Sequence, residues 1–186
     1  MATFPASRLA DIAPFHVMEL MARARALGAS GRDIIHMEVG EPDFPTPEPI
    51  IAAAQAHIAS GRVFYTPPLG IPELRSAIAA FYATRYGYDL AASRVVVTAG
   101  ASGALLLAMA CLAEPGGEWL LTDPGYPCNR HFVRSFEGVP VALPVQAANN
   151  FQPTLDDLEK QWKERTIGAL FASPDNPTGT LIDDDI

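Results

Sequence analysis

The sequence predicts an α/β protein built on a mostly parallel sheet. In the second half of the 186-residue chain, short apolar runs that favour strands alternate with segments of helical periodicity. The last of these runs, residues 167–172, is fully apolar, as expected for a strand that is buried on both faces. We therefore expect helices on both faces of a sheet, and a ligand site beyond the carboxyl ends of its strands.

Length and composition restrict the class of protein. A chain of 186 residues with 49% hydrophobic content can form one domain, or one domain plus part of another. The formal charge of −8 disfavours nucleic acid and anionic membranes as partners, because both attract clustered Lys and Arg. Cys111 and Cys128 form neither a metal-binding spacing nor a disulfide framework, so we expect no metal and a reduced, cytoplasmic setting.

The sequence before Val95 predicts an N-terminal arm, several helices and irregular loops. Residues before Pro14 form an arm that we expect to extend from the body of the protein. Residues 34–39 alternate as in a β-strand and lead into a loop rich in Pro and Gly. Helical spacing and Pro at helix starts predict helices over residues 15–27, 46–60 and 72–82.

Regular alternation begins at Val95. Strands are predicted over residues 95–98, 118–122, 139–143 and 167–172, and helices over residues 102–113, 128–136 and 155–164. Even the most apolar segment, residues 104–113, is too short to span a bilayer, and the N-terminus lacks the apolar core of a signal peptide. We therefore expect a protein that is neither exported nor inserted into a membrane.

The turn after the first predicted strand has the composition of a phosphate site. Gly100, Ala101 and Gly103 are small enough to let the backbone close around a ligand, and the following helix presents unpaired N–H groups at its start. Ser102 adds a hydroxyl that either donates to a phosphate or caps the helix. The alternative is a purely structural turn, because a strand, a small-residue turn and a helix follow one another in every α/β protein.

Five segments resemble, in their order along the chain, the motifs of class I/II pyridoxal phosphate aminotransferases of fold type I. They are Gly40-Glu-Pro-Asp-Phe, Tyr65-Thr-Pro-Pro-Leu-Gly-Ile-Pro-Glu-Leu-Arg, Thr98-Ala-Gly-Ala-Ser-Gly-Ala, Asp123-Pro-Gly-Tyr and Ser173-Pro-Asp-Asn-Pro-Thr-Gly. The resemblance implies a three-layer large domain with a mostly parallel, mixed sheet, which would be incomplete in this chain. Residues 1–45 would form the N-terminal arm and a segment of the small domain, and residues 46–186 the N-terminal part of the cofactor-binding large domain.

The resemblance also implies the residues that bind pyridoxal 5′-phosphate. Gly100, Ala101 and Ser102 match the family's phosphate cup. Tyr126 matches the aromatic residue that stacks on the pyridine ring, since a flat π-face gives apolar contact over a planar cofactor. Without the resemblance, a Tyr that follows a Pro-Gly turn is simply a partly buried side chain.

Three further positions carry implied roles, each with a simpler alternative. Asn176 matches the asparagine that donates to the cofactor's phenolic oxygen and helps hold the substrate carboxylate; alone it is a turn residue before Pro. Tyr65 matches a tyrosine that reaches the cofactor phosphate of the other subunit in a homodimer, and alone it packs a loop. Gly40 matches the close approach of the backbone to the substrate carboxylate, and otherwise it is a turn glycine.

The resemblance places the catalytic groups outside this chain. The Schiff-base lysine, the aspartate at the pyridine nitrogen and the arginine that binds the substrate carboxylate would all lie beyond Ile186. The only lysines present, Lys160 and Lys163, fall in a polar helix and are expected to be solvated. Residues 1–186 alone are therefore expected to be inactive.

The function implied for the parent protein is transfer of an amino group between an amino acid and a 2-oxo acid. Two alternatives remain open. A pyridoxal phosphate-dependent β-lyase or decarboxylase of the same fold would carry the same N-terminal motifs. A noncatalytic α/β module that binds another phosphate ligand would need only the turn at Gly100, Ala101 and Ser102.

Overall fold

The computed structural model of the protein describes residues 5–182, which fall into two compact units. One unit contains residues 5–19 and 102–182, and the other contains Leu20–Ala101. The predicted domain boundary between residues 45 and 46 stays a prediction. In chain order the regular elements are α1 (His16–Ala29), α2 (Glu48–Ala59), α3 (Pro72–Tyr86), α4 (Gly100–Leu112), β1 (Glu118–Asp123), α5 (Cys128–Ser135), β2 (Val139–Pro144), α6 (Leu155–Gln161) and β3 (Thr166–Leu170).

The sheet has three parallel strands in the order β2-β1-β3. Leu120 on the central strand pairs with Val141 on one side and Ala169 on the other. Residues 119–121 are buried, as expected for the middle strand of a sheet covered on both faces. Helices α5 and α6 lie in the connections that parallel strands require. The predicted α/β class with a parallel sheet is therefore confirmed.

A buried cluster joins α4 and α5 to the central strand. Its members are Met109 from α4, Trp119 and Leu121 from β1, and Phe132 and Val133 from α5. The start of α5 and the loop after β1 contribute Cys128 and Tyr126, which pack against this cluster while partly exposed. The loop that carries Tyr126 is thus fixed at both ends to one hydrophobic core.

Helix α6 begins with a reciprocal cap. The Thr154 hydroxyl accepts a hydrogen bond from the Asp157 N–H at 3.2 Å, and the Asp157 carboxylate accepts from the Thr154 N–H at 3.0 Å. Hydrogen bonds from the Thr154 side chain and backbone lower the pKa of Asp157. The helix ends at Gln161, three residues before the predicted end, because Trp162 has an extended backbone with ψ 118°.

Two predicted strands are wrong. Residues 95–98 and 34–39 follow extended paths but join no strand ladder among residues 5–182. The backbone of the first segment bonds instead to a loop and a side chain: the Val97 N–H donates to the Leu69 carbonyl at 3.0 Å, and Arg75 Nε donates to the Val95 carbonyl at 2.8 Å. The β-branched pattern predicts an extended conformation correctly, whereas a strand also requires a neighbouring strand.

The predicted course of the N-terminal arm is also wrong. The described part of the arm does not extend freely, because residues Ser7–Asp11 form a short 3₁₀-helix that packs on α5. Arg8 Nη1 lies 3.3 Å from Glu137 Oε1, and Arg134 donates to the Asp11 carboxylate through Nε at 2.7 Å. Opposite charges on the two segments hold the arm in place. Residues 1–4 of the predicted arm lie outside the described residues.

Substitution of Gly168 tests the packing of the sheet. An added Cβ at Gly168 would lie 2.7–2.9 Å from three ring atoms of Trp119, so the indole ring must shift in Gly168→Ala. We expect this overpacking to lower the free energy of unfolding by about 1–3 kcal/mol. Urea unfolding of the two proteins measures the difference.

Gly28→Ala is the matched control. An added Cβ at Gly28, in α1, meets no atom within 4 Å. Removing a helix glycine there should stabilise the protein by about 0.5–1 kcal/mol. Equal effects of the two substitutions would show that Gly168 is not required by close packing on Trp119.

Candidate functional site

Helix α4 begins at Gly100, two residues earlier than predicted. Gly100 has φ 76°, in the left-handed region that glycine adopts without strain, and the Thr98 hydroxyl donates to its carbonyl at 2.8 Å. Ser102 therefore lies inside the first turn of the helix, and the interpretation of Ser102 as the helix cap is wrong. Its hydroxyl remains at the amino end of the helix.

The start of α4 suits an anion. The N–H groups of Ala101 and Ser102 find no hydrogen-bond acceptor within residues 5–182, as expected at the first turn of a helix. The first turn carries no acidic residue, and the dipole of this 13-residue helix adds partial positive charge. An added Cβ at Gly100 would meet nothing within 4 Å, so the approach to the turn is open. These features fit a phosphate group.

Tyr126 lies between the starts of two helices. Its side chain packs against the buried cluster of α4, β1 and α5, and its carbonyl accepts from the Asn129 N–H at 3.1 Å, which fixes the first turn of α5. The nearby Cys128 side chain, followed by burial, raises the pKa of the Tyr126 phenol, whereas the nearby Ser102 hydroxyl acts in the opposite direction. The phenol is therefore neutral at physiological pH.

A cavity of about 160 Å³ lies beside Tyr126, at the carboxyl end of the central strand. Its walls come from the end of β1, the loop that follows, the first turn of α5 and the middle of β2. Asn129 lines the cavity, and its Oδ1 atom is buried without a hydrogen-bond partner in the part of the chain that the structure describes. The cavity therefore extends along the sheet to the middle of β2, and the residues that line it do not include Gly100, Ala101 or Ser102.

The predicted site residues fall in both compact units. Ser102 and Tyr126 come together, as described above. Asn176 is exposed in a turn that Asp175 organises: the Thr178 hydroxyl donates to Asp175 Oδ2 at 2.7 Å, and the Gly179 N–H donates to the Asp175 carbonyl at 2.9 Å. The role of Asn176 at the cofactor stays a prediction.

Gly40 and Tyr65 belong to the other compact unit. Gly40 is exposed, and an added Cβ there would meet no atom within 4 Å. The side chain of Tyr65 is fully exposed, as expected for a residue that serves a neighbouring subunit. The roles of both residues toward substrate and cofactor stay predictions.

Cys128 is a neighbour of Tyr126 that no sequence motif marks. The sequence indicates only that it is unpaired, yet as the first residue of α5 it packs, like Tyr126, against the buried cluster. The pattern that could have identified it is its spacing of two residues from Tyr126 across Pro127, at a predicted helix start.

Neither Lys160 nor Lys163 supplies an amine to the candidate site of Ser102 and Tyr126. Lys160 is exposed and forms an ion pair with Asp156, which raises its pKa. Lys163 is also exposed. Within residues 5–182, no group of three or more His, Cys, Asp or Glu residues is arranged to hold a metal ion. Over the same residues, none of the helices combines the length and the apolar character needed to cross a membrane.

Known proteins match this chain closely. The family model described as "Aminotransferase class I and II" matches residues 32–185. The chain is 38% identical over 174 residues to an aspartate aminotransferase of Thermotoga maritima, which covers 94% of this chain. It is 37% identical over 173 residues to a valine–pyruvate aminotransferase of Mycobacterium tuberculosis, which covers 93% of this chain.

A solved structure agrees with these sequence matches. The crystal structure of an aminotransferase from Mycobacterium tuberculosis superposes with a TM-score of 0.92 at 36% identity and covers 99% of this chain. The match extends over only part of each relative: 46% of the Thermotoga protein, 44% of the valine–pyruvate aminotransferase and 47% of the crystallised chain. Within that part, the chain has the fold of these enzymes and belongs to the class I and II aminotransferases.

Proposed function

We propose that the whole protein transfers an amino group between an amino acid and a 2-oxo acid, with pyridoxal 5′-phosphate as cofactor. The observation that carries this proposal is the start of α4, where unpaired N–H groups and the Ser102 hydroxyl lie next to the Tyr126 phenol. The names of the relatives support the reaction, because they are aminotransferases that act on different amino acids. When bound, the cofactor supplies an electron sink for the carbanion formed at the substrate α-carbon.

The first role proposed for this chain is to bind the phosphate group of the cofactor. Gly100 allows the backbone to enter the helix in a left-handed conformation, which leaves the N–H groups of Ala101 and Ser102 free to donate to phosphate oxygens. The Ser102 hydroxyl can donate a further hydrogen bond. A dianionic phosphate is also favoured by the positive end of the helix dipole.

Tyr126 is proposed to hold the ring of the cofactor. Its side chain packs against the hydrophobic cluster, so little side-chain freedom remains to be lost when the ring stacks on the cofactor. Packing on such a face also excludes water from one side of the cofactor. The neutral phenol adds no negative charge close to the phosphate.

The remaining proposed roles concern substrate and assembly. Asn176 would donate to the cofactor's phenolic oxygen and to the substrate carboxylate, and the backbone at Gly40 would approach the same carboxylate. Tyr65 would donate to the phosphate bound by the second subunit of a homodimer, which its complete exposure permits. The free cysteines Cys111 and Cys128 are compatible with a cytoplasmic enzyme.

The lysine that bonds the cofactor is proposed to lie beyond Ile186. Lys160 and Lys163 are exposed, and the Asp156 carboxylate raises the pKa of Lys160, whereas a nucleophilic amine requires a lowered pKa. The relatives also extend well beyond the matched region, since this chain spans about 46% of their length.

Ser102→Asp separates phosphate binding from helix stability. A carboxylate in the first turn of α4 should stabilise the helix slightly, by about 0.3–1 kcal/mol, because it complements the dipole. The same carboxylate should weaken binding of pyridoxal phosphate by at least about tenfold through repulsion of the phosphate. The dissociation constant and the thermal midpoint of the full-length protein measure the two effects.

Ser93→Asp is the control for this substitution. Ser93 is an exposed serine outside α4, so a carboxylate there should leave cofactor affinity unchanged. Unaltered affinity of the Ser102→Asp protein would contradict the phosphate site. Cofactor binding without amino-group transfer in the unsubstituted protein would instead favour another pyridoxal phosphate reaction.

Tyr126→Ala tests the stacking role. Loss of an aromatic pair should weaken pyridoxal phosphate binding by roughly two- to tenfold, the equivalent of about 0.5–1.5 kcal/mol, in addition to the loss of buried area. Tyr126→Phe keeps the ring and should retain most of the affinity. Equilibrium dialysis of the full-length variants gives the dissociation constants, and equal affinities for the Ala and Phe variants would rule out stacking at this position.

The site of covalent attachment can be mapped directly. The pKa of Lys160 is raised, so its amine stays protonated as the pH rises through neutrality and becomes nucleophilic only above that raised pKa. After incubation of the full-length protein with pyridoxal phosphate and reduction with borohydride, mass spectrometry should locate the adduct outside residues 1–186. Lys160→Arg and Lys163→Arg should leave it unchanged. A stoichiometric adduct on either lysine would show that the catalytic amine has been misplaced.

A further inference from the structure

Two side chains of opposite charge line the cavity beside Tyr126. Asp123 lies at the end of β1, and Arg130 lies in the first turn of α5. Both residues are exposed. Within residues 5–182 they form no ion pair with each other or with any other residue. A cation and an anion therefore line one cavity, and both charges are available to a ligand.

A buried amide oxygen adds a hydrogen-bond acceptor to the same cavity. Asn129, which also lies in the first turn of α5, lines the cavity, and among the described residues its Oδ1 atom has no hydrogen-bond partner. A buried acceptor without a partner destabilises the protein, because its hydrogen bond to water has been lost without replacement. A ligand that donates an N–H group to this oxygen restores the missing hydrogen bond.

The walls of the cavity are held by contacts within the sheet and the loop. The Val145 N–H donates to the Asp123 carbonyl at 3.0 Å, which joins the end of β1 to the residue that follows β2. An added Cβ at Gly125 would lie 2.7 Å from the Thr122 hydroxyl, so the loop packs closely on the end of the strand. The cavity is therefore formed before a ligand binds, which favours binding.

The size and lining of the cavity restrict the ligand. Its volume is about 160 Å³. A cavity of about 150 Å³ in a protein core holds one benzene molecule, so the ligand has about six non-hydrogen atoms. Leu121, Pro140 and Val141 add apolar surface to the lining. Such a small ligand has room for one charged group of each sign and a short carbon skeleton.

We propose that this cavity binds a small zwitterionic α-amino acid, such as glycine or alanine. The carboxylate of the amino acid accepts hydrogen bonds from Arg130, while its ammonium group donates to Asn129 Oδ1 and faces the Asp123 carboxylate. Of the described residues that line the cavity, only Tyr126 belongs to the proposed cofactor site. The inference therefore goes beyond the proposed function and does not require a bound cofactor.

Isothermal titration calorimetry of the full-length protein with alanine tests the proposal. The protein is first treated with borohydride, so that a covalently bound cofactor is reduced and alanine cannot react with it. We expect saturable binding of alanine to this protein. Propionate lacks the ammonium group and ethylamine lacks the carboxylate, so each should bind at least about tenfold more weakly, because each loses a charged hydrogen-bonding group.

Substitutions in the cavity assign the binding to this site. Arg130→Gln should weaken alanine binding roughly tenfold, because it removes the cation. Ala142→Leu should abolish binding, because Ala142 lines the cavity and a larger side chain occupies its space; the exposure of Ala142 favours folding of the variant. Arg85→Gln, at an exposed arginine of α3 that does not line the cavity, is the matched control and should bind alanine normally.

Several results would overturn the inference. They are the absence of saturable alanine binding, equal affinity for propionate or ethylamine, and unchanged affinity in the Arg130→Gln or Ala142→Leu protein. If Ala142→Leu does not fold, Ala142→Val takes its place. Failure of the full-length protein to bind pyridoxal phosphate would overturn the proposed function alone, because the alanine titration can be carried out without the cofactor.

Discussion

The packing of α4 and α5 against the central strand is the interaction on which the candidate site depends. Met109, Trp119 and Val133 are buried in one cluster, and each belongs to a different element. Close packing of this kind leaves little freedom for the helix starts and the loop between them. It therefore fixes the two features on which the proposed site depends: a helix start whose first N–H groups are unpaired within the described residues, and the partly buried side chain of Tyr126.

This arrangement explains why small residues and a rigid loop contribute more to the proposed phosphate site than charged side chains do. The start of α4 has no basic side chain and no acidic residue in its first turn, so the proposed binding of a phosphate there depends on the backbone. Gly100 makes this possible by entering the helix at φ 76°. Tyr126 contributes a neutral phenol, because its environment raises its pKa. In the proposed function, the chain supplies a binding surface for the cofactor, and the amine chemistry comes from residues beyond Ile186.

Much of the fold could be predicted from the sequence, because the spacing of apolar residues reflects local secondary structure. Alternating apolar runs predicted the strands from residue 118 onward, and the ordered motifs predicted the family. The strands over residues 34–39 and 95–98 could not be judged in the same way, since a strand also requires a partner and the described residues supply none. The sequence does not predict the course of the arm, because the ion pair that holds it joins Asp11 to Arg134, two residues distant in sequence. The contact of Cys128 with Tyr126 depends on the side-chain geometry of a helix start, which no motif records.

A crystal structure of the full-length protein with pyridoxal 5′-phosphate tests the central claim most directly. The account predicts that phosphate oxygens accept hydrogen bonds from the N–H groups of Ala101 and Ser102 and from the Ser102 hydroxyl, with the pyridine ring stacked on Tyr126. A phosphate bound elsewhere, with the first turn of α4 in contact only with solvent or protein, would contradict it.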